Sequence, residues 1–96
     1  MDGRDPFAAG RRLSLVIPAF NEGAGIRQAV VEADEALARL ADDYEILVVD
    51  DGSRDATAVI VAEEAAVRPH LRLLRHGRNR GYGAALRTGF EAARFE

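Results

Sequence analysis

Two aspartates, Asp50 and Asp51, follow the apolar run Tyr44–Val49 directly and precede Gly52-Ser53. Adjacent carboxylates in that position can grip a cation, or accept hydrogen bonds from a ribose or a base edge. They repel a phosphate unless a metal lies between. The same pair can also serve the turn, and Asp50 is the one expected to bond the Gly52-Ser53 backbone. A second concentration of chemistry lies at Arg78, Arg80, Gly81 and Gly83. Two guanidinium groups ahead of a helix N-terminus make a cradle for a pyrophosphate. Equally, Gly83, Ala84, Ala85 and Gly89 can simply let a helix lie close to a sheet. A third group is Pro18 to Glu22, where Asn21 is placed to cap the following helix and Glu22 falls in its first turn. His70 and His76 lack metal-ligand spacing and read as surface loop residues.

What the chain omits is equally informative. All 13 of its basic residues are arginine, and there is no cysteine. Without lysine there is no GxxxxGK[ST] phosphate loop and no Schiff-base chemistry; without cysteine there is no thiolate catalysis and no disulfide. Glycines spaced GxGxxG after the first strand would mark a dinucleotide site, but PAFNEG stands there instead, which argues against an NAD-dependent oxidoreductase half. No apolar run approaches the ~20 residues of a membrane-spanning helix. The net charge of −3 is too mild to point to nucleic acid as a partner. It is unevenly spread: residues 1–67 carry 6 arginines and 14 acids (−8), and residues 68–96 carry 7 arginines and 2 acids (+5). That asymmetry fits either an anion-facing C-terminal third or a solvated arginine-rich surface.

These candidate residues need elements to position them. Residues 1–12 carry Gly3, Pro6 and Gly10 without a hydrophobic period and read as a flexible leader. Leu13–Ile17 is a short apolar run closed by Pro18, the pattern of a buried parallel strand. Ile26, Val30, Leu37 and Ala41, widened by Ala33 and Leu40, predict a helix over 23–41. Tyr44–Val49 predicts a second strand. A second helix is expected to run to about Val67, capped by Ser53 or Asp55 and facing inward through Val59, Ala62 and Ala66. Leu71–Leu74 predicts a third strand, and a last helix begins near Gly81 with Ala85, Leu86, Gly89, Phe90 and Ala93. Strand-helix alternation with short links implies an α/β fold: a Rossmann-like, three-layer α/β/α arrangement around a parallel sheet. In such sheets ligands bind beyond the carboxyl ends of the strands, where all three unusual loops fall.

Read together, LSLVIPAFNEG (13–23), EILVVDDGSRDAT (45–57) and NRGYGAALRTGF (79–90) resemble the N-terminal half of family 2 glycosyltransferases. The resemblance is nearest to the dolichyl- or polyprenyl-phosphate mannose synthases, and covers the chain beyond the leader. It implies the donor-binding half of a GT-A fold that takes a sugar, mannose on overall look, from a GDP- or UDP-sugar donor to a lipid-phosphate acceptor. Carried over by position, Pro18, Phe20 and Glu22 match the first nucleotide-contacting loop. Val49 and Asp51 match the residues that read base and ribose, with Asp50 in support, and Asn79, Arg80 and Gly81 match a loop near the sugar-phosphate end. Phe20 stands where the family often has tyrosine, so base packing is kept and a phenolic hydrogen bond is lost. The family's D-x-D pair, which holds Mg²⁺ or Mn²⁺, and its acceptor-activating base are expected beyond Glu96. The resemblance thus implies a partial domain over 13–96, inactive alone, with its first strand's outer edge open. It also implies a cytoplasmic parent, at the cytosolic face of the membrane if membrane association comes through its C-terminal part. The alternative is a non-catalytic nucleotide-binding module.

Overall fold

A computed structural model describes residues 11–95; the expected leader lies outside them except for Arg11 and Arg12. Along the chain the elements are β1 (Arg12–Ala19), α1 (Ile26–Leu40), β2 (Asp43–Asp51), α2 (Thr57–Ala65), β3 (Leu71–His76) and α3 (Tyr82–Ala92). The strands form one parallel sheet in the order β1-β2-β3. The α/β expectation therefore holds, with β2 at the centre.

Alternation along β2 divides the molecule. Tyr44, Ile46 and Val48 join Ile26 and Val30 of α1 and Val61 of α2 in the main core. Glu45, Leu47, Val49 and Asp51 point to the opposite face, where α3 packs against β1 and β2. Gly89 sets how close that helix comes: a Cβ there would lie 2.3 Å from Val16 Cγ1. Of the two readings of the small residues of α3, close packing is thus met at Gly89, while Gly83 has nothing within 4 Å of its Cβ position.

Strands run longer than the apolar pattern suggested. β1 continues through Pro18 to Ala19, because an edge strand tolerates a missing N–H. It is also only half-buried, whereas β2 is buried almost throughout; among the described residues β1 pairs on one side only. β3 extends two residues past Leu74, which turns His76 from a loop residue into a buried strand residue, 8% exposed. α1 starts at Ile26, and Leu40 is exposed. α2 buries Thr57, Ala58, Val61 and Glu64, not Val59, Ala62 and Ala66. Alanine and valine surround that short helix, so hydrophobicity alone misplaces its inner face. The inward position of Glu64 is made possible by Arg27 and Arg68, both of which bond its carboxylate. In α3, Ala85 and Gly89 are buried and Phe90 is exposed.

At the amino end of the sheet, Glu45 is 1% exposed. It accepts from Ser14 Oγ at 2.7 Å, from Arg72 at 3.2 Å, and from the backbone N–H and guanidinium of Arg94. Burial pushes its carboxyl up, but those bonds outweigh it and hold it at about 2. Phe95 N–H completes the tie by donating to Ser14 Oγ at 3.0 Å. The segment after α3 is thereby fastened to β1 and β2. Among the described residues, no helix is long and apolar enough to cross a membrane.

Candidate functional site

The three loops beyond the carboxyl ends of the strands are tied to one another. Asn21 adopts a left-handed conformation (φ 54°). Its N–H donates to Ser53 Oγ at 2.8 Å, and its Oδ1 accepts from Arg54 N–H at 2.9 Å. It therefore staples the first loop to the second instead of capping α1, whose N-terminal position is Gly25. Glu22 N–H donates to Thr57 Oγ1 at 2.8 Å, and Gly23 N–H to Asp55 Oδ2 at 3.0 Å. Asp55 also accepts from Thr57 N–H, just ahead of α2, while Ser53 is spent on Asn21. Gly52 (φ +77°) presses the second loop against the third, since a Cβ there would sit 2.4 Å from Arg78 C and Asn79 N.

Asp50 and Asp51 are consecutive in β2 and point to opposite faces. The idea that they grip one cation is thereby excluded. Asp50 Oδ1 accepts from Ser53 N–H at 3.3 Å, the expected turn bond. Its buried Oδ2 has no hydrogen-bond partner among the described residues and lies 3.9 Å from Arg75 Nε. Asp51 faces α3, and its Oδ1 lies 2.7 Å from His76 Nδ1 and accepts from Arg80 N–H at 2.8 Å. Its Oδ2 accepts from Gly81 N–H at 2.8 Å. Burial pushes this carboxyl up, but the bonds from His76, Arg80 and Gly81 prevail and hold it below the ordinary range. Asp51 thus already serves the backbone ahead of α3 that the sequence offered to a pyrophosphate.

Pro18, Phe20, Glu22, Asp51 and Gly81 come together around one cleft of about 400 Å³, joined by Ala19, Asn79, Tyr82 and Ala85. Phe20 and Tyr82 are 43% and 70% exposed, so two aromatic rings are available to a planar ligand. Val49 and Asp50 are fully buried and line neither this cleft nor the one beside it, and Arg80 does not line them either. A neighbouring cleft of about 640 Å³ shares Phe20 and Asn79 and is walled by Arg54, Arg75 and Arg78. Sequence alone assigns Tyr82 no role, places Ala85 only among the packing residues of the last helix, and makes His76 a surface loop residue. The signal for His76 was its register opposite Asp51, visible only once β3 is extended beyond Leu74.

Parallel strands with a ligand-sized cleft beyond their carboxyl ends define a Rossmann-like α/β domain. Residues 14–96 match the Glycosyl transferase family 2, and the chain belongs to that family. It is 41% identical over 81 residues to the undecaprenyl-phosphate 4-deoxy-4-formamido-L-arabinose transferase of Pseudomonas fluorescens (strain Pf0-1), with 82% of this chain and 24% of that protein covered. It is also 41% identical to the dolichyl-phosphate beta-glucosyltransferase ALG5C of Trichomonas vaginalis, over 79% of this chain and 24% of the relative. Among solved structures, the mannosyltransferase PcManGT from Pyrobaculum calidifontis in complex with GDP-Man and Mn²⁺ superposes with a TM-score of 0.72 at 28% identity, covering 86% of this chain and 24% of that one. Glucosyl-3-phosphoglycerate synthase from Mycobacterium tuberculosis, in complex with Mn²⁺, UDP-Glc and phosphoglyceric acid, gives 0.62 at 30% identity, covering 88% and 30%. The fold is thus the GT-A fold of these glycosyltransferases, and the chain spans 24% of the two curated relatives.

Both of those solved complexes contain Mn²⁺. The described residues do not fit such an ion: no group of three or more His, Asp or Glu among them could hold a metal. Asp51 is engaged by three donors, and Asp50 is fully buried on the opposite face of β2.

Proposed function

We propose that this chain is the donor-binding part of a glycosyltransferase that moves a sugar from a GDP- or UDP-sugar to a polyprenyl or dolichyl phosphate. The carrying observation is the cleft that gathers Pro18, Phe20, Glu22, Asp51 and Gly81, five residues from the carboxyl ends of β1 and β2 and from the loops that follow β1 and β3, with two exposed aromatic rings, Phe20 and Tyr82, and two carboxylates. An aromatic ring suits a base, and carboxylates suit its N–H groups or the ribose hydroxyls. The arginines of the neighbouring cleft are the groups within this edge that favour phosphate. The acceptor class rests on the two curated relatives, which are named for undecaprenyl and dolichyl phosphate. For the sugar we favour mannose from GDP-mannose, the donor in the Pyrobaculum calidifontis complex. The relatives named for glucose and formamido-arabinose keep other sugars in view. The base that activates the acceptor, the metal-holding pair and any association with the cytosolic face of a membrane belong to the whole transferase.

The test is calorimetric titration of the purified chain with GDP, UDP, ADP and NAD, each with and without Mn²⁺. Selective binding of GDP or UDP supports the reading and chooses the donor class. Binding of NAD alone, or of none of the four by a folded sample, overturns it.

A further inference from the structure

His76 is a buried imidazole with both nitrogens engaged, and neither the motifs nor the donor-site reading gives it a task. It closes β3 in register with Asp51 of β2. Nδ1 lies 2.7 Å from Asp51 Oδ1, and Nε2 lies 2.8 Å from Thr88 Oγ1 on α3. An ionised carboxylate only accepts, so Nδ1 carries the proton. Thr88 then fixes the ring: its hydroxyl donates to a bare Nε2 or accepts from a protonated one. Either way Nδ1–H stays aimed at Asp51. The arrangement is one in which a third group orients an imidazole and the imidazole orients a carboxylate.

Counting acceptor sites shows what this does for the cleft. A carboxylate offers about four lone-pair directions. Oδ1 uses two, on His76 and Arg80 N–H, and Oδ2 uses one, on Gly81 N–H. One direction remains, on Oδ2, and Asp51 lines the cleft while only 3% exposed. Without the Nδ1 bond, Oδ1 keeps a single anchor and the carboxylate can turn about its Cβ–Cγ bond.

We propose that His76 is a positioning residue: held by Thr88, it locks Asp51 so that one acceptor direction of Oδ2 faces the cleft to receive an N–H or O–H of the bound nucleotide. This deepens the donor-site reading and rests on it. His76 touches no ligand itself in this account and takes no proton from one.

The test compares two amides at position 76. In His76→Asn the side-chain N–H₂ falls near the Nδ1 position and can still donate to Asp51. In His76→Gln it reaches toward Thr88 and leaves Asp51 Oδ1 short of a donor. Binding of GDP and UDP is measured by calorimetry alongside thermal unfolding, below the melting point of each variant. We expect His76→Gln to weaken binding at least tenfold, and His76→Asn to stay within about threefold of the unsubstituted chain. Equal weakening by both, tracking their loss of thermal stability, makes His76 a structural residue and overturns the proposal. Thr88→Val keeps the imidazole and removes only its anchor; a severalfold weakening supports the proposal, and unchanged affinity counts against it. A second readout needs no nucleotide: the ¹⁵N signals of His76 in the unsubstituted chain. A protonated Nδ1 supports the proposal, and a bare Nδ1 overturns it even where GDP or UDP binds. If neither nucleotide binds although Nδ1 is protonated, it is the donor-site reading that has failed, and the role falls with it.

Discussion

Asp51→Asn removes one charge and changes one oxygen to a donor group, and the structure says what that does before any ligand is added. Three donors converge on the carboxylate: His76 Nδ1–H, Arg80 N–H and Gly81 N–H. If the amide oxygen takes the Oδ1 position, the new N–H₂ faces Gly81 N–H; if it takes Oδ2, the N–H₂ faces both His76 and Arg80. The better choice still loses one charge-assisted bond, leaves a buried N–H unpaired and weakens the two bonds that remain. A hydrogen bond to a charged group contributes about 1.5–3 kcal/mol, and an orphaned buried donor costs about 1–3 kcal/mol, with partial overlap between the two. The expected destabilisation is therefore about 2–4 kcal/mol, or roughly 10–25 °C in melting temperature for a domain of this size. Asp50→Asn is the control. Its Oδ2 has no hydrogen-bond partner among the described residues, so an amide can turn its nitrogen there while the oxygen keeps Ser53 N–H. The unpaired oxygen becomes an unpaired N–H₂ beside Arg75, which costs the 3.9 Å ion pair but no hydrogen bond, so that variant is expected to lose clearly less stability than Asp51→Asn. Thermal unfolding by circular dichroism at neutral pH measures both. If Asp51→Asn melts as the parent does, or Asp50→Asn is the more damaging, the account of the third loop is refuted. The same reasoning governs any binding experiment, because a nucleotide affinity lost in Asp51→Asn is informative only where the variant is still folded.

Further outcomes follow from the packing and from the buried acids. Gly89→Ala puts a methyl group 2.3 Å from Val16 Cγ1, and overpacking of that kind costs about 1–3 kcal/mol, more than the roughly 1 kcal/mol gained in helix propensity. Adding Val16→Ala makes room for that methyl, so in urea unfolding Gly89→Ala is expected to cost less in the Val16→Ala background than alone. Equal costs in both backgrounds would show that α3 does not meet β1 there. Glu45 is held at about 2 against an ordinary 4.5, so its contribution of about 3 kcal/mol is fully present above the unfolded value and fades as pH falls from about 4.5 toward 2. Glu45→Gln is expected to flatten that acid limb in a pH series of melting curves; an unchanged slope would contradict the assignment. Gly52→Ala combines a left-handed backbone with a Cβ 2.4 Å from the backbone of Arg78 and Asn79. It is expected to lower both stability and nucleotide affinity, and normal behaviour on both counts would contradict the close contact of the two loops.

Much of this was legible in the sequence, for identifiable reasons. Three apolar runs alternating with helical periods impose an α/β order, and turn residues after each run mark the ligand edge. Of the cleft residues, Asp51 and Gly81 stood out by their chemistry, whereas Pro18, Phe20 and Glu22 were assigned through the resemblance of their loop to the family's motif. Register and side-chain direction were not. Asp50 and Asp51 look like a pair in the sequence, yet β2 continues through both, so a one-residue step sends them to opposite faces. Asn21 carries the signature of a helix cap, but its left-handed backbone turns it to Ser53 and Arg54, a partnership between loops about 30 residues apart that local pattern does not encode. His76 was hidden because a strand ending in Leu-Arg-His has lost its apolar signal; burial there is supported by hydrogen bonds to Asp51 and Thr88 rather than by hydrophobicity. The inner face of α2 failed for the converse reason, too many apolar residues to choose among.

The central claim is that a nucleotide occupies the cleft between Phe20, Asp51 and Gly81. Amide-resolved NMR of the ¹⁵N-labelled chain, titrated with GDP and with UDP, locates binding directly. The account predicts saturable shifts concentrated on Ala19 to Glu22, Asp51 and Asn79 to Tyr82, with the Glu45 end of the sheet unmoved. Shifts confined to other surfaces, or none from either nucleotide in a folded sample, would contradict it.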